Sequence, residues 1–215
     1  MTSRDQDSLA ARKTPVQTRS QATVQAISEA TIQVLLRNRV EHLTTTRVAQ
    51  RAGVSVGTLY QYYRNKEALL HTVLKGHLEH VTDIVEGACK ANHHKPVRTM
   101  VEALVQSFVS AKLEDREASV ALYAVASESD GEALVARLSK RALAAITAML
   151  RTAPGVRFSQ PEFTAFMLLS SIVGATRAVL EAGASHKIVE DLRRHLVLLG
   201  ESYLHKAGTC RKFME

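Results

Sequence analysis

A single glycine set between two short helical patterns constrains this chain more than any other feature. The stretch runs from Thr44 to Leu70, TTTRVAQRAGVSVGTLYQYYRNKEALL. Thr44 is a natural N-cap, and Val48 and Ala49 fall on one face of the helix that follows. Gly53 ends that helix, because a tight turn needs a residue that tolerates positive φ. Ser55 can cap a second short helix, with Leu59 and Tyr63 directed at a core, and Asn65 can cap a longer one starting at Lys66 and Glu67. Tyr60, Tyr62, Tyr63, Arg64 and Lys66 give the second helix an aromatic and basic end. A small helix pair ending this way suits few tasks, and entering a DNA groove is the foremost of them.

Charge points the same way. The chain of 215 residues carries a formal +7, but residues 1–66 hold ten Lys/Arg against four Asp/Glu, while the rest is close to neutral. A one-sided basic footprint favours a polyanion partner, although a solvated charged face produces the same count. With 46% hydrophobic residues and four prolines, the composition is globular rather than disordered. No unbroken apolar run of membrane-spanning length occurs, and the start, MTSRDQDSLAARKTPVQ, lacks the apolar core of a secretory signal. The expectation is a cytoplasmic protein with no membrane partner. Cys89 and Cys210 lie far apart in sequence and outside any metal-ligand or redox spacing, so a half-buried Cys89 and a mobile Cys210 are expected.

Nearly all remaining periodicity is helical. Val24, Ile27, Thr31, Val34 and Leu35 mark one face of a helix over about Thr18–Arg37, which Asn38 can end in the left-handed conformation. The helix beginning at Lys66 continues to about Asn92, roughly 27 residues or ~40 Å. Further helices are predicted over about 97–112, 116–128 and 129–152, the last opened by a capping box at Ser129–Glu132. After Pro154 and Gly155, Pro161 opens a strongly apolar helix to Gly183, and Ser185 caps a last one over 187–206. No strand-like alternation longer than four residues appears. The expected fold is all-α: a basic arm (1–17), a three-helix helix-turn-helix head (18–66), a helical body (67–206) and a tail (207–215).

The head residues suit groove binding. Thr44, Thr45 and the free N–H groups at the start of their helix can hold a phosphate. Ser55, Val56, Gly57 and Thr58 are small enough for close approach to base edges, with Val56 and Thr58 methyls available to thymine. Tyr60 and Tyr62 can reach phosphate or base, and Lys66 supplies a phosphate cation. Equally, tyrosines at such spacing serve interhelical packing; Tyr63 is expected to pack and Tyr60 and Tyr62 to face DNA. Arg47 and Arg51 read as DNA cations or as solvated surface charge, and Arg12, Lys13 and Arg19 as a backbone-tracking arm.

From Ile27 to Leu70 the chain resembles the DNA-binding domain of the TetR family of bacterial transcription regulators. Val48-Ala49, Ala52-Gly53-Val54-Ser55, Gly57-Thr58-Leu59-Tyr60 and Asn65-Lys66-Glu67-Ala68-Leu69-Leu70 carry the resemblance. It implies an all-helical homodimer with two DNA heads and two ligand-binding bodies. It also implies that Thr44, Thr45, Ser55, Val56, Gly57, Thr58, Tyr60, Tyr62 and Lys66 hold DNA-facing positions. Two departures stand out. Arg39 occupies a position where members carry glycine, and Thr31 one where alanine is common, which suggests looser packing in the head.

The body has no motif of its own. In TetR-like proteins the last two helices dimerise as a four-helix bundle, here 161–183 and 187–206. Phe163, Phe166, Met167, Ser170, Ile172, Val173, Gly174 and Ala175 are too apolar on too many faces for a solvated helix, with Leu192, His195, Leu196, Leu199 and Tyr203 facing them. An intrachain core would use the same residues. A pocket for a small apolar or amphipathic effector is expected among Phe108, Leu122, Tyr123, Met149, Phe166, Met167, Ser170 and Arg177, each of which also reads as plain core. Tyr123, Ser170 and Arg177 would fix polar groups, although Arg177 can pair with Glu181 instead. His71, His77 and His80 lack the companions of a metal site, no catalytic constellation is seen, and no cofactor is expected. The reading is a ligand-responsive repressor on a near-palindromic operator; the alternatives are an activator or a ligand-independent DNA-binding protein.

Overall fold

Helical spacing along nearly the whole sequence becomes helix along nearly the whole chain. The computed structural model describes residues 4–38, 40–127, 129–183 and 185–210, with side chains described from Ser20 onward except 129–130 and Cys210. The elements are α1 (Arg4–Asn38), α2 (Thr45–Ala52), α3 (Val56–Tyr62), α4 (Lys66–Ala91), α5 (Val97–Glu114), α6 (Arg116–Ala126), α7 (Ser129–Arg151), α8 (Pro161–Glu181) and α9 (His186–Ala207). Two compact units result, Met1–Leu74 and Lys75–Glu215, and α4 runs through the division.

In the first unit, Ile27, Leu35, Val48, Ala49, Leu59, Tyr63 and Leu69 are buried around the α1, α2 and α3 triad. The turn between α2 and α3 depends on Gly53, whose φ of 69° is left-handed. There the N–H of Val54 donates to the Ala49 carbonyl at 3.0 Å, closing the end of α2. Thr31 is fully buried, and its hydroxyl donates to the Ile27 carbonyl at 2.7 Å. The hydroxyl is satisfied within its own helix, so Thr31 is accommodated fully buried where looser packing was expected.

Three expectations for helix ends change. α1 begins at Arg4 rather than near Thr18. Asn38 stays helical, its side-chain amide donating to the Val34 carbonyl at 3.3 Å. Among the described residues the left-handed non-glycine is His94, with φ 60°, in the turn before α5. Ser185 does occupy the N-cap of α9 but makes no side-chain capping bond. Arg39 lies outside the described residues.

In the second unit the interior of α5, with Met100, Val101, Leu104, Val105 and Val109, packs with Ile146, Met149, Leu150, Leu168 and Ile172. Gly200 lets α9 come close: a Cβ there would lie 2.8 Å from Val101 Cγ1 and 3.0 Å from Leu168 Cδ1. Cys89 is fully buried rather than half-buried, and burial, then Glu86, pushes its thiol up to about 12. Arg141 of α7 donates to Asp83 at 2.8 Å and to Glu86 at 2.6 Å, fastening the lower part of α4 to α7.

The sequence showed no strand, yet Val156–Phe158 (β1) pairs antiparallel with Gly208–Cys210 (β2). Three-residue strands give too short an alternation to be seen, so the start of the expected tail is instead sheet-paired backbone. α8 is long and apolar enough to cross a bilayer by length and composition. Its inner face, with Ala165, Leu168, Ile172 and Leu180, is nevertheless buried in the body.

Candidate nucleic-acid interface and effector region

The start of α2 is built by Thr44, whose hydroxyl accepts the N–H of Arg47 at 3.3 Å. The start of α3 is built the same way: Ser55 Oγ accepts the Thr58 N–H at 2.9 Å and lies 2.8 Å from Thr58 Oγ1. Both caps leave N–H groups at the helix starts directed outward, where an anion is favoured. Val56 and Thr58 are half-buried and Gly57 is exposed, so the first turn of α3 presents a low surface.

Tyr60 is 50% exposed, and its hydroxyl lies 3.1 Å from Thr45 Oγ1, joining α3 to the first turn of α2. Tyr62 is exposed too, and Ser20 of α1 donates to its hydroxyl at 3.4 Å. Tyr63 is buried, and burial followed by its neighbour Tyr62 raises its hydroxyl above the usual range. One tyrosine is therefore anchor, and two stand outward from the second half of α3.

The basic residues are more committed than their sequence suggests. Lys66 is half-buried and its ammonium donates to the Val40 carbonyl at 2.8 Å. It closes the turn after α1, which leaves two of its donors for other acceptors. Arg47 donates to the His42 carbonyl at 2.9 Å, and Arg51 bonds Gln33 of α1, so neither is simply solvated charge. Arg64, between α3 and α4, is exposed and was not among the sequence candidates. Its only signal was its place in the basic tip. Arg12, Lys13 and Arg19 fall outside the described side chains.

These two capped helices, joined by a left-handed glycine and set on a third, agree with what the chain as a whole matches. Residues 22–73 match the model of the bacterial regulatory proteins of the tetR family, and residues 96–204 match the tetracyclin repressor-like C-terminal domain. The chain belongs to the TetR family. It is therefore a DNA-binding transcriptional regulator, with the helix-turn-helix in its first unit. Solved structures share this TetR fold at low identity. One from Mesorhizobium loti, assigned to the TetR-family regulators, is 18% identical with a TM-score of 0.70, covering 89% of this chain and 99% of that one. A TetR family transcription regulator from Marinobacter aquaeolei is 18% identical with a TM-score of 0.67, covering 91% and 100%. The fatty acid degradation regulator FadR from Bacillus halodurans is 16% identical with a TM-score of 0.68, covering 81% and 94%. No curated protein matches the sequence.

In the TetR-type body the expected pocket residues separate into layers. Phe108, Leu122 and Met149 are buried in the interior. Phe166, Met167 and Ser170 lie exposed on the outer face of α8, because the core uses the opposite face. Tyr123 and Arg177 meet, the guanidinium lying 4.7 Å from the ring centroid while also pairing with Glu181 at 2.9 Å. A separate cavity of about 280 Å³ lies between the end of α7, β1 and the start of α8, lined by Leu150, Arg151, Val156, Arg157 and Phe158. None of the expected pocket residues borders it.

Sequence reading missed Lys112. It is buried at 5% exposure, with its ammonium 4.9 Å from the Tyr123 centroid and 3.1 Å from His77 Nε2. His77 accepts that bond as neutral imidazole, since burial, then Lys112, then His80, hold it at about 3. Ser119 donates to the Lys112 carbonyl at 2.8 Å. His80 pairs instead with Glu114 at 2.9 Å, and among the described residues no cluster of three metal-ligating groups forms. Lysines read as surface residues by default, so only burial against Tyr123 picks this one out.

Proposed function

We propose that this TetR-family regulator is a homodimeric repressor whose hold on a near-palindromic operator is released by a small molecule bound in the body. The observation that carries the dimer is an uncovered apolar stripe on α8 and α9. Phe163 (56% exposed), Phe166, Met167 and Val173 stand along α8, and Ile188, Leu198 (60%) and Leu199 along α9. Phe163 and Phe166 stack at 5.9 Å between centroids, and a Cβ at Gly174 would meet nothing within 4 Å of its own chain. Such a stripe, with a small residue at its centre, fits a second copy packed helix on helix. Of the residues assigned to that interface from sequence, Ile172 and Leu196 are instead buried in their own chain.

A dimer places two heads on one duplex, with half-sites about one helical turn apart. Thr44, Thr45, Ser55, Val56, Gly57, Thr58, Tyr60 and Tyr62 face the DNA, with Lys66 and Arg64 at its phosphates. An effector shifts the balance between head spacings only by its differential affinity for the two states. α4 belongs partly to each unit, and Arg141 holds its lower part to the body, so α4 is the lever. The test is operator affinity of the dimer with and without small molecules recovered from the native protein by mass spectrometry. Release on saturation supports the reading. Full affinity in the saturated dimer, or activation of the adjoining genes, contradicts it.

A further inference from the structure

The Lys112 cluster extends from the interior to the surface. Lys112 and Ser119 are buried, Tyr123 is half-buried, and Arg177 is exposed. Two cations thus share one tyrosine ring, Lys112 Nζ at 4.9 Å and Arg177 Cζ at 4.7 Å from its centroid. Of the nearby acids, Glu114 is engaged by His80 at 2.9 Å, outside the cluster, and Glu181 pairs with Arg177 of the cluster at 2.9 Å. Among the described residues no carboxylate forms an ion pair with Lys112, whose polar partner is the ring of neutral His77. A buried ammonium without a counterion is costly unless something anionic completes it, and a tyrosine face compensates only in part. We propose that Lys112, Tyr123 and Arg177 form the site that takes the carboxylate head group of an effector. This deepens the effector reading above and rests on it.

The chemistry follows from the donors. Lys112 offers a buried point charge, and the exposed Arg177 a planar fork that can exchange Glu181 for the carboxylate of the effector. Glu181 then acts as an internal competitor that keeps Arg177 in place when the site is empty. Burial, and secondarily Arg177, lowers Lys112 to about 8, leaving it mostly charged at neutral pH. A bound anion would favour that charge further and raise it.

The test is calorimetric titration of the full chain, without DNA, with decanoate and with methyl decanoate, alongside NMR titration of the Lys112 ammonium. Decanoate should bind, with the ester at least about tenfold weaker, and should raise the Lys112 midpoint. Lys112→Met, which replaces a buried charge by an apolar side chain of similar length, should fold and lose decanoate affinity by about tenfold or more. Glu181→Gln should bind decanoate more tightly. Equal binding of acid and ester, no decanoate binding at millimolar concentration, or unchanged affinity in Lys112→Met would overturn the assignment. Operator affinity, measured separately, distinguishes the two readings. Decanoate bound through Lys112 without operator release leaves this site standing and removes the repressor mechanism; release by a neutral recovered molecule does the reverse.

Discussion

Thr45 Oγ1 and Tyr60 Oη lie 3.1 Å apart, so the first turn of α2 and the outward side of α3 share a hydrogen bond. Both residues are also proposed to face DNA, and their bond ties the Tyr60 hydroxyl to α2. Tyr60→Ala should weaken operator binding by about 1–3 kcal/mol, as for loss of a charge-assisted phosphate bond. Since Tyr60 is half exposed, thermal stability should change little. Fluorescence anisotropy beside denaturant unfolding separates the two effects; equal affinity in the variant removes Tyr60 from the interface.

Lys66 carries two assignments that one variant can divide. Lys66→Ala leaves the Val40 carbonyl without its 2.8 Å donor, which should cost about 1–2 kcal/mol of stability. If the ammonium also neutralises a phosphate, the slope of log affinity against log salt should flatten by about 0.9. A stability loss with an unaltered slope would confine Lys66 to closing the turn after α1.

The head was largely legible because its signals are local. Caps at Thr44, Ser55 and Asn65 and the break at Gly53 each act within four residues, and each is found where expected, with Asn65 Oδ1 accepting the Ala68 N–H at 2.8 Å. The body was less legible because its decisive contacts are distant in sequence. Lys112 meets His77 and Tyr123 across three helices, and β1 meets β2 over some fifty residues. No periodicity within one segment reports such pairings. Periodicity also could not tell which apolar face of α8 goes inward, so Phe166 and Met167 were expected both at the pocket and at the dimer interface.

Two glycines test opposite kinds of constraint. Gly53→Ala forces a side chain into φ 69° in open space and should cost about 1–2 kcal/mol through backbone strain. Gly200→Ala drives a methyl against Val101 and Leu168 and should cost about 1–3 kcal/mol through overpacking. Chemical denaturation reads both; a neutral outcome contradicts the backbone strain at Gly53 or the close contact at Gly200.

His77 makes stability depend on pH. Its folded value near 3 lies below the ordinary 6.5, chiefly because of burial. Below pH 6.5 the unfolded chain therefore takes up a proton that the native state refuses, so stability present above 6.5 is lost as pH falls toward 3. At pH 5 the loss should be about 2 kcal/mol. His77→Gln, which keeps an acceptor for Lys112 but cannot titrate, should flatten the profile across that window. Parallel profiles would contradict the buried neutral imidazole.

The apolar stripe predicts assembly. Phe166→Glu combined with Leu199→Glu should yield a monomer of unchanged helicity by light scattering and circular dichroism, since both side chains are exposed in their own chain. A double variant that stays dimeric places the interface elsewhere.

Selection of binding sites from random duplex DNA tests the central claim most directly. The full-length protein should enrich near-palindromic sequences with half-sites about one helical turn apart. Gly57→Glu, which sets a carboxylate on the exposed first turn of α3 without any close neighbour beyond Ser55, should lose that enrichment while remaining folded. No enriched sequence with the wild type, or the same sequence from Gly57→Glu, would contradict DNA recognition through α3.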